Sequence, residues 1–362
     1  MKPKITPPLQ HTNIHRVIGL DYLRIGLALI IFCFHSRVHL GCNYGILNDF
    51  FDTADLAMTG FFMLSGYSLQ LVYGKREMTD FKSLKDFYLK RLLSIYPLYL
   101  VVGLLAVIMM VSTGYQSVKD NIVLLPVELL GIQSFFDGSL FQYSHNSGTW
   151  FISCLLICYS LFPFVKELVN SVGNRGQIFC AITLPLLLAY VHYLPDSFEC
   201  GNLYTNSYIR LLEFVLGAIF ACLNNDDNYR PKWLTVLRSK PVLILSTVSL
   251  LVGISLCIHY NVHGELVILI CLPLLFISLG CIKASSKRDY RVLLYLSGLT
   301  YAFFLSQFFV WNPFKFFQLH YGVVGDNIRI PVCFAVCLIM SIVLYEVIQK
   351  RGSDLLKKKL IR

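Results

Sequence analysis

Charged side chains are scarce in this 362-residue sequence: Asp, Glu, Lys and Arg make up 14% of it, against about 25% in an ordinary soluble domain. A chain so poor in charge cannot cover a water-facing surface, which excludes a single soluble enzyme domain. Its apolar content excludes intrinsic disorder. Acidic residues are scarcer still, 21 against 31 basic ones, for a net charge of +10. Low-complexity linkers, an internal repeat and an appended polar domain are also missing, so neither a solenoid nor a multidomain array is expected. There is no sign of a cleavable leader. Lys2, Lys4 and Arg16 precede an apolar run too long for a signal-peptide core, and no small-residue cleavage site follows it. What is abundant is apolar surface: 56% of residues are hydrophobic and the mean hydropathy is +0.62.

Crossing a bilayer by helix takes about 20 apolar residues. Runs of that kind occupy 17–40, 53–74, 92–113, 147–166, 177–193, 208–223, 241–260, 265–282, 291–311 and 331–350. The expected fold class is an all-α polytopic membrane protein with about ten transmembrane helices. The segment 121–137 is apolar but short, and it carries Pro126 and Glu128. If it does not cross, 25 of the 31 Lys and Arg fall in one set of alternate loops. Four (Arg37, Lys119, Lys315, Arg329) then fall in the other set, and two (Arg24, Arg210) lie within apolar runs. A full crossing there destroys that asymmetry. We therefore read 121–137 as a re-entrant or interfacial element on the outer side, with both termini cytoplasmic. The basic excess is then a topology signal, and a nucleic-acid partner is not expected. The expected organisation is a cytoplasmic N-terminal segment (1–16), one transmembrane domain (17–350) and a basic cytoplasmic tail (351–362) whose Lys357–Lys359 rest on anionic headgroups.

Nearly all twelve cysteines lie in apolar runs. Cys154 and Cys158, like Cys333 and Cys337, are one turn apart with no His or carboxylate at matching positions. They read as packing residues, and no metal is expected. Cys42 and Cys200 fall in predicted outer loops, where a disulfide is open.

Lipid penalises an ionisable side chain, so such a residue inside a span is a functional hypothesis by default. The first span carries Asp21, Arg24 and His35. Eleven residues separate Arg24 from His35, which is three turns plus about 20°, so both lie on one helix face, about 16 Å apart along the axis. Asp21, one turn before Arg24, partly neutralises it. Two readings are open: a structural ladder satisfied by neighbouring helices, or a path for substrate.

These residues carry a resemblance. Leu20-Asp21-Tyr22-Leu23-Arg24, ten further residues and His35 resemble the first-helix signature of the membrane acyltransferase-3 family, typified by bacterial O-antigen and exopolysaccharide O-acetyltransferases. Phe61-Phe62-Met63-Leu64-Ser65-Gly66-Tyr67 resembles its second-span motif, and Phe87 through Arg91 and Tyr96 to Pro97 resembles its third, with Ser94 in place of a second Arg. Trp150-Phe151 through Tyr159 to Pro163 is similar to a later span, with Cys154 nearest a position where some branches carry Glu. Arg210 with Phe214 and Gly217 matches a further element. Tyr301 to Gln307 resembles a late span in which Gln307 replaces a His.

The resemblance implies transfer of an acyl group, acetyl above all, from cytoplasmic acyl-CoA to a hydroxyl of an extracytoplasmic or lipid-linked glycan. The setting is the inner membrane of a bacterium. Acetyl-CoA is then the co-substrate, and glycan and bilayer are the other partners. His35 is the expected general base, since a hydroxyl is far too weak an acid to ionise unaided at neutral pH. Direct acylation of His35 is also open. Arg24 is expected to polarise or position the thioester. Arg91 reads as a phosphate holder or a positive-inside anchor. Ser65 and Gly66 read as a narrow passage for the coenzyme arm or a close helix contact, and Tyr96 is grouped with them. Trp150 reads as a sugar platform or an interfacial anchor, with His145 and Asn146 before it at the acceptor side. Tyr159 and Gln307 are expected as acceptor-side or structural support. Arg210 and Glu213 are one turn apart and either serve the site or simply pair; Glu265 reads as solvated. The alternative class is a polysaccharide or small-molecule exporter. The broken inverted repeats typical of transporters have no counterpart here, and a passive scaffold gives Arg24 and His35 no reason to share a face.

Overall fold

In a computed structural model of the chain, residues 17–113, 118–136, 147–191, 204–225, 232–260, 265–282 and 286–354 are described, and no strand occurs among them. The helices run α1 Ile18–Leu40, α2 Asn48–Asp52, α3 Asp55–Tyr73, α4 Phe81–Ser112, α5 Val118–Leu130, α6 Trp150–Ser171 and α7 Gly173–Val191. They continue with α8 Ser207–Asn225, α9 Lys232–Leu237, α10 Lys240–Tyr260, α11 Glu265–Ser278, α12 Lys287–Ser306, α13 Phe308–Tyr321 and α14 Asp326–Val343. A π-helical turn, Leu344–Lys350, prolongs α14.

Local signals set the ends. Gly41, at φ +67°, closes α1 with its N–H on the Arg37 carbonyl, a left-handed position that glycine takes without strain. The Asp80 carboxylate accepts from the Ser83 N–H at 3.1 Å and opens α4; its bonds to Ser83 hold it below the usual carboxylate range.

Over the described residues, each of the ten apolar runs falls largely in helix. Six helices are long and apolar enough to span a membrane: α1, α4, α6, α7, α8, and α14 with its continuation. The pair α12 and α13, bent by 44° at Gln307, makes seven if taken as one span. That is fewer than the ten expected. The reason is visible in α3, whose Phe62, Met63, Leu64 and Tyr67 are all sealed inside the protein. A helix surrounded by protein need not be apolar all round, and α3 carries Thr59, Ser65, Ser68 and Gln70. Helices α10 and α11 offer only shorter apolar stretches. The segment near 121–137 forms α5, whose 13 residues cover about 20 Å, short of the roughly 30 Å hydrocarbon core. It doubles back along α4, whose Tyr96 and Tyr99 hydroxyls donate to the carbonyls of Leu129 and Glu128.

In lipid, helices associate through close packing more than through the hydrophobic effect. The tightest seam joins α3 to α8. A Cβ on Gly66 would lie 1.9 Å from the Phe214 carbonyl oxygen, and one on Gly217 would lie 2.0 Å from that of Met63. The two backbones touch at paired glycines.

Candidate active site

The face of α1 that carries Arg24 and His35 packs on α12, and both residues are held from there. Arg24 Nη1 donates to Ser297 Oγ at 3.0 Å and to Asp21 Oδ1 at 3.3 Å, while Ser297 Oγ donates to Asp21 Oδ1 at 2.7 Å. Asp21 is buried and Arg24 retains 28% side-chain exposure, so the guanidinium is anchored yet reachable. Eleven residues on, His35 Nδ1 lies 2.7 Å from Gln307 Oε1. Ten residues separate Ser297 from Gln307, so α1 and α12 run in the same direction with their polar positions in register.

Gln307 sits at the α12–α13 break and is 1% exposed. Its amide oxygen faces an imidazole nitrogen, which on that side must be the N–H donor. The His35 tautomer with a lone pair on Nε2 follows. The Gln307 Nε2 has no hydrogen-bond partner among the described residues. A buried amide left so costs about 1–3 kcal/mol, which marks this point of the core as incomplete.

Around Arg24 the coenzyme-side residues gather in part. Tyr159 lies within electrostatic reach of Arg24 and Arg91, with Ser65 beside it on α3. Arg91 donates to the Tyr73 hydroxyl at 3.3 Å and lies over that ring. Its buried Nε has no partner among the described residues. Four helices thus converge here: α1, α3, α4 and α6. Two residues expected with them stand elsewhere. Gly66 is spent on the backbone contact with Phe214, so it lines no open passage. Tyr96 lies five residues from Arg91, about 140° round the helix, and its hydroxyl goes to Leu129 on α5.

On the far side of His35, Phe304 (6.1 Å between ring centres) leads to Phe151 (5.5 Å) and from there to Trp150 and Phe62. Trp150 is one of three rings, with Phe62 and Tyr204, that enclose the Arg210 guanidinium at 5.5–5.9 Å. Arg210 Nη1 meets both Glu213 oxygens at 2.8 Å, and Thr59 donates to Glu213 at 2.8 Å. Arg210 and Glu213 do pair, and both are sealed inside the protein.

Cys154, Cys158, Cys333 and Cys337 are fully buried among apolar neighbours, and Cys42 is a buried free thiol. Its expected partner Cys200, the residues His145 and Asn146, and the tail lysines lie outside the described residues. Sequence reasoning passed over Ser297 and His39. No signal singles out a serine on α12, but His39 stands one turn beyond His35 on the same face, which the spacing alone reveals.

Three comparisons bear on this geometry. The acyltransferase-3 family model, described as an acyltransferase domain, matches residues 17–346. The acyltransferase MdmB of Streptomyces mycarofaciens is 28% identical over 191 residues, covering 48% of this chain and 48% of the relative. The chain thus spans about half the length of the curated relative it matches. No solved structure matches.

Proposed function

Because the chain belongs to the acyltransferase-3 family, we propose that it is an integral membrane O-acyltransferase. It moves an acyl group, acetyl above all, from cytoplasmic acyl-CoA to a hydroxyl of an extracytoplasmic or lipid-linked glycan. The observation that carries this reading is the α1–α12 seam, where Arg24 and His35 are held in register by Ser297 and Gln307.

With its Nδ1–H on Gln307, His35 offers Nε2 to the acceptor hydroxyl and takes its proton as the oxygen attacks the thioester carbon. The C–S bond breaks, and the imidazolium returns that proton to the leaving thiolate, so coenzyme A departs as its thiol. Arg24, about 16 Å below His35 along α1, is too far to touch the same carbonyl oxygen. It steadies the coenzyme arm behind the thioester, and so its task is positioning. Arg91 meets the coenzyme phosphates at the inner mouth, with Ser65 and Tyr159 along the passage.

Ten crossings complete the topology, counting α3, α10 and α11 with the seven above. The concentration of 25 of the 31 basic residues in alternate loops supports cytoplasmic termini, and the resemblance to bacterial O-acetyltransferases supports an inner membrane.

The test is the cell's glycan, analysed for ester groups by NMR with the gene present, deleted, or carrying His35→Ala. We expect the ester signal to vanish in the deletion and in the variant while the variant protein still reaches the membrane in normal amount. Normal esterification by His35→Ala would overturn the reading.

A further inference from the structure

A second imidazole stands beside His35, outside the mechanism proposed above. His39 lies one turn beyond His35 on α1, with its ring centre 5.7 Å from that of His35 and the planes tilted by 59°. Counted from Arg24, His35 and His39 stand at about 20° and about 60°. The three form one stripe, with His39 at the end away from Arg24. His39 is half-buried, and neither of its ring nitrogens has a hydrogen-bond partner among the described residues. The charge that faces it is Lys315 on α13, and His35 is its titratable neighbour on its own helix.

The spacing has chemical content. No hydrogen bond joins the two rings among the described residues, and ring centres 5.7 Å apart leave room for one bridging oxygen, whose two bonds of about 2.8 Å at a tetrahedral angle span about 4.6 Å between nitrogens. His35 already spends its Nδ1 on Gln307, so its Nε2 is the nitrogen left for such a bridge. A bridging hydroxyl has one proton. It gives that proton to one imidazole and must accept an N–H from the other.

We infer that His39 is an acceptor-binding residue, which holds the hydroxyl of the incoming substrate between its own ring N–H and the Nε2 of His35. The inference rests on the acyltransferase reading above and adds to it the place and orientation of the acceptor. The hydroxyl oxygen is fixed by His39, its proton points at His35, and its free lone pair is left for the thioester carbon. No new bond is made or broken by His39. Its part is to keep this hydroxyl, rather than a passing water, at the point of attack. An acceptor approaching from the end of α1 beyond His39 meets the donor's acyl carbon arriving from the Arg24 side.

The experiment uses membrane vesicles from cells making the full-length protein, with their own glycan as acceptor and radiolabelled acetyl-CoA as donor. Two quantities are read: coenzyme A thiol released, and label recovered as glycan ester. Their ratio is the share of acyl groups that reach the glycan instead of water, and it does not depend on how much protein folds. His39→Leu, which cannot donate, lowers that ratio about tenfold, the scale of one lost hydrogen bond. His39→Asn, which retains an N–H, stays within about threefold of the parent on the same scale. An unchanged ratio in His39→Leu overturns the inference, as does a fall in His39→Asn as deep as in His39→Leu. His35→Ala separates the two levels: if it abolishes thiol release while the His39 variants keep the parent ratio, the base stands and the acceptor contact does not. Absence of thiol release from the parent protein removes both.

Discussion

Two helix seams cross the middle of this molecule, and they use polarity in opposite ways. Between α3 and α8 the cluster around Arg210 is answered at every polar group, and only further along the seam does a buried atom, Gln70 Oε1, stand without a partner among the described residues. Arg210 has both Glu213 oxygens, the Tyr204 carbonyl and three aromatic faces, and Glu213 also has Thr59. The backbones around it meet at Gly66 and Gly217. Between α1 and α12 the polar groups are ordered but not exhausted. Gln307 fixes His35 yet leaves its own buried N–H groups without a partner among the described residues, and Arg24 keeps part of its surface open. Buried groups that are fully satisfied hold a shape. Those with unspent capacity are where a ligand finishes the network. By this criterion the Arg210 cluster is architecture, and the α1–α12 seam is where the proposed chemistry belongs.

The hardest blow to the comparison falls on the architectural seam. Gly66→Leu puts a side chain where the Phe214 carbonyl oxygen stands 1.9 Å from a would-be Cβ. The helices must part, and because the clash is with backbone the cost exceeds the roughly 1–3 kcal/mol of ordinary overpacking, enough to prevent folding. We expect little folded protein on size-exclusion chromatography in detergent. Gly103→Ala, whose Cβ meets nothing within 4 Å, should elute like the parent. A normally folded Gly66→Leu protein would show that the seam is not closed as described.

The chemical seam should fail differently. Gln307→Leu removes the group that orients His35, and nothing in the packing of α3 and α8 depends on it. We expect the rate of acyl transfer to fall about tenfold or more, as when a catalytic imidazole loses its orienting partner, with the melting temperature in detergent little changed. Removing the unsatisfied buried amide relieves one desolvation penalty, and stranding the His35 Nδ1–H adds one of similar size. A loss of stability without loss of rate would reclassify Gln307 as architecture.

How far this division could be read beforehand depended on the residue. Helical periodicity alone puts Arg24 and His35 on one face, and their partners on α12 match that arithmetic. The Ser65-Gly66 pair was legible as a close contact or a passage. Only the fold shows that α8 fills the space, because no local pattern identifies the opposing helix. Tyr96 was misplaced for a simpler reason: nearness to Arg91 in a motif says nothing about the 140° or so of rotation between them. Ser297 was invisible, since a serine on an apolar helix normally bonds its own backbone. The ten apolar runs became helices, but hydropathy counts lipid contact. It therefore undervalues α3, which is walled in by protein.

The smallest expected effect tests the contrast most finely. Arg210 and Glu213 are 4% exposed each, and breaking such a pair strands a charge in the core. Arg210→Met or Glu213→Leu alone should therefore cost about 3–5 kcal/mol, seen as a large drop in melting temperature. Removing both charges together is another matter. The desolvation penalty of the pair disappears with its attraction, and a buried ion pair replaced by apolar residues of similar volume is often neutral or stabilising. Thr59 loses its carboxylate acceptor, but a helical threonine hydroxyl can turn back to a carbonyl one turn earlier. The double variant should thus melt close to the parent, and if the pair only holds shape, acyl transfer should stay within about twofold of the parent at equal stability. Stability restored while transfer remains lost would mean that this saturated cluster belongs to the acceptor's path after all, and the line between the two seams would have to be redrawn through Trp150.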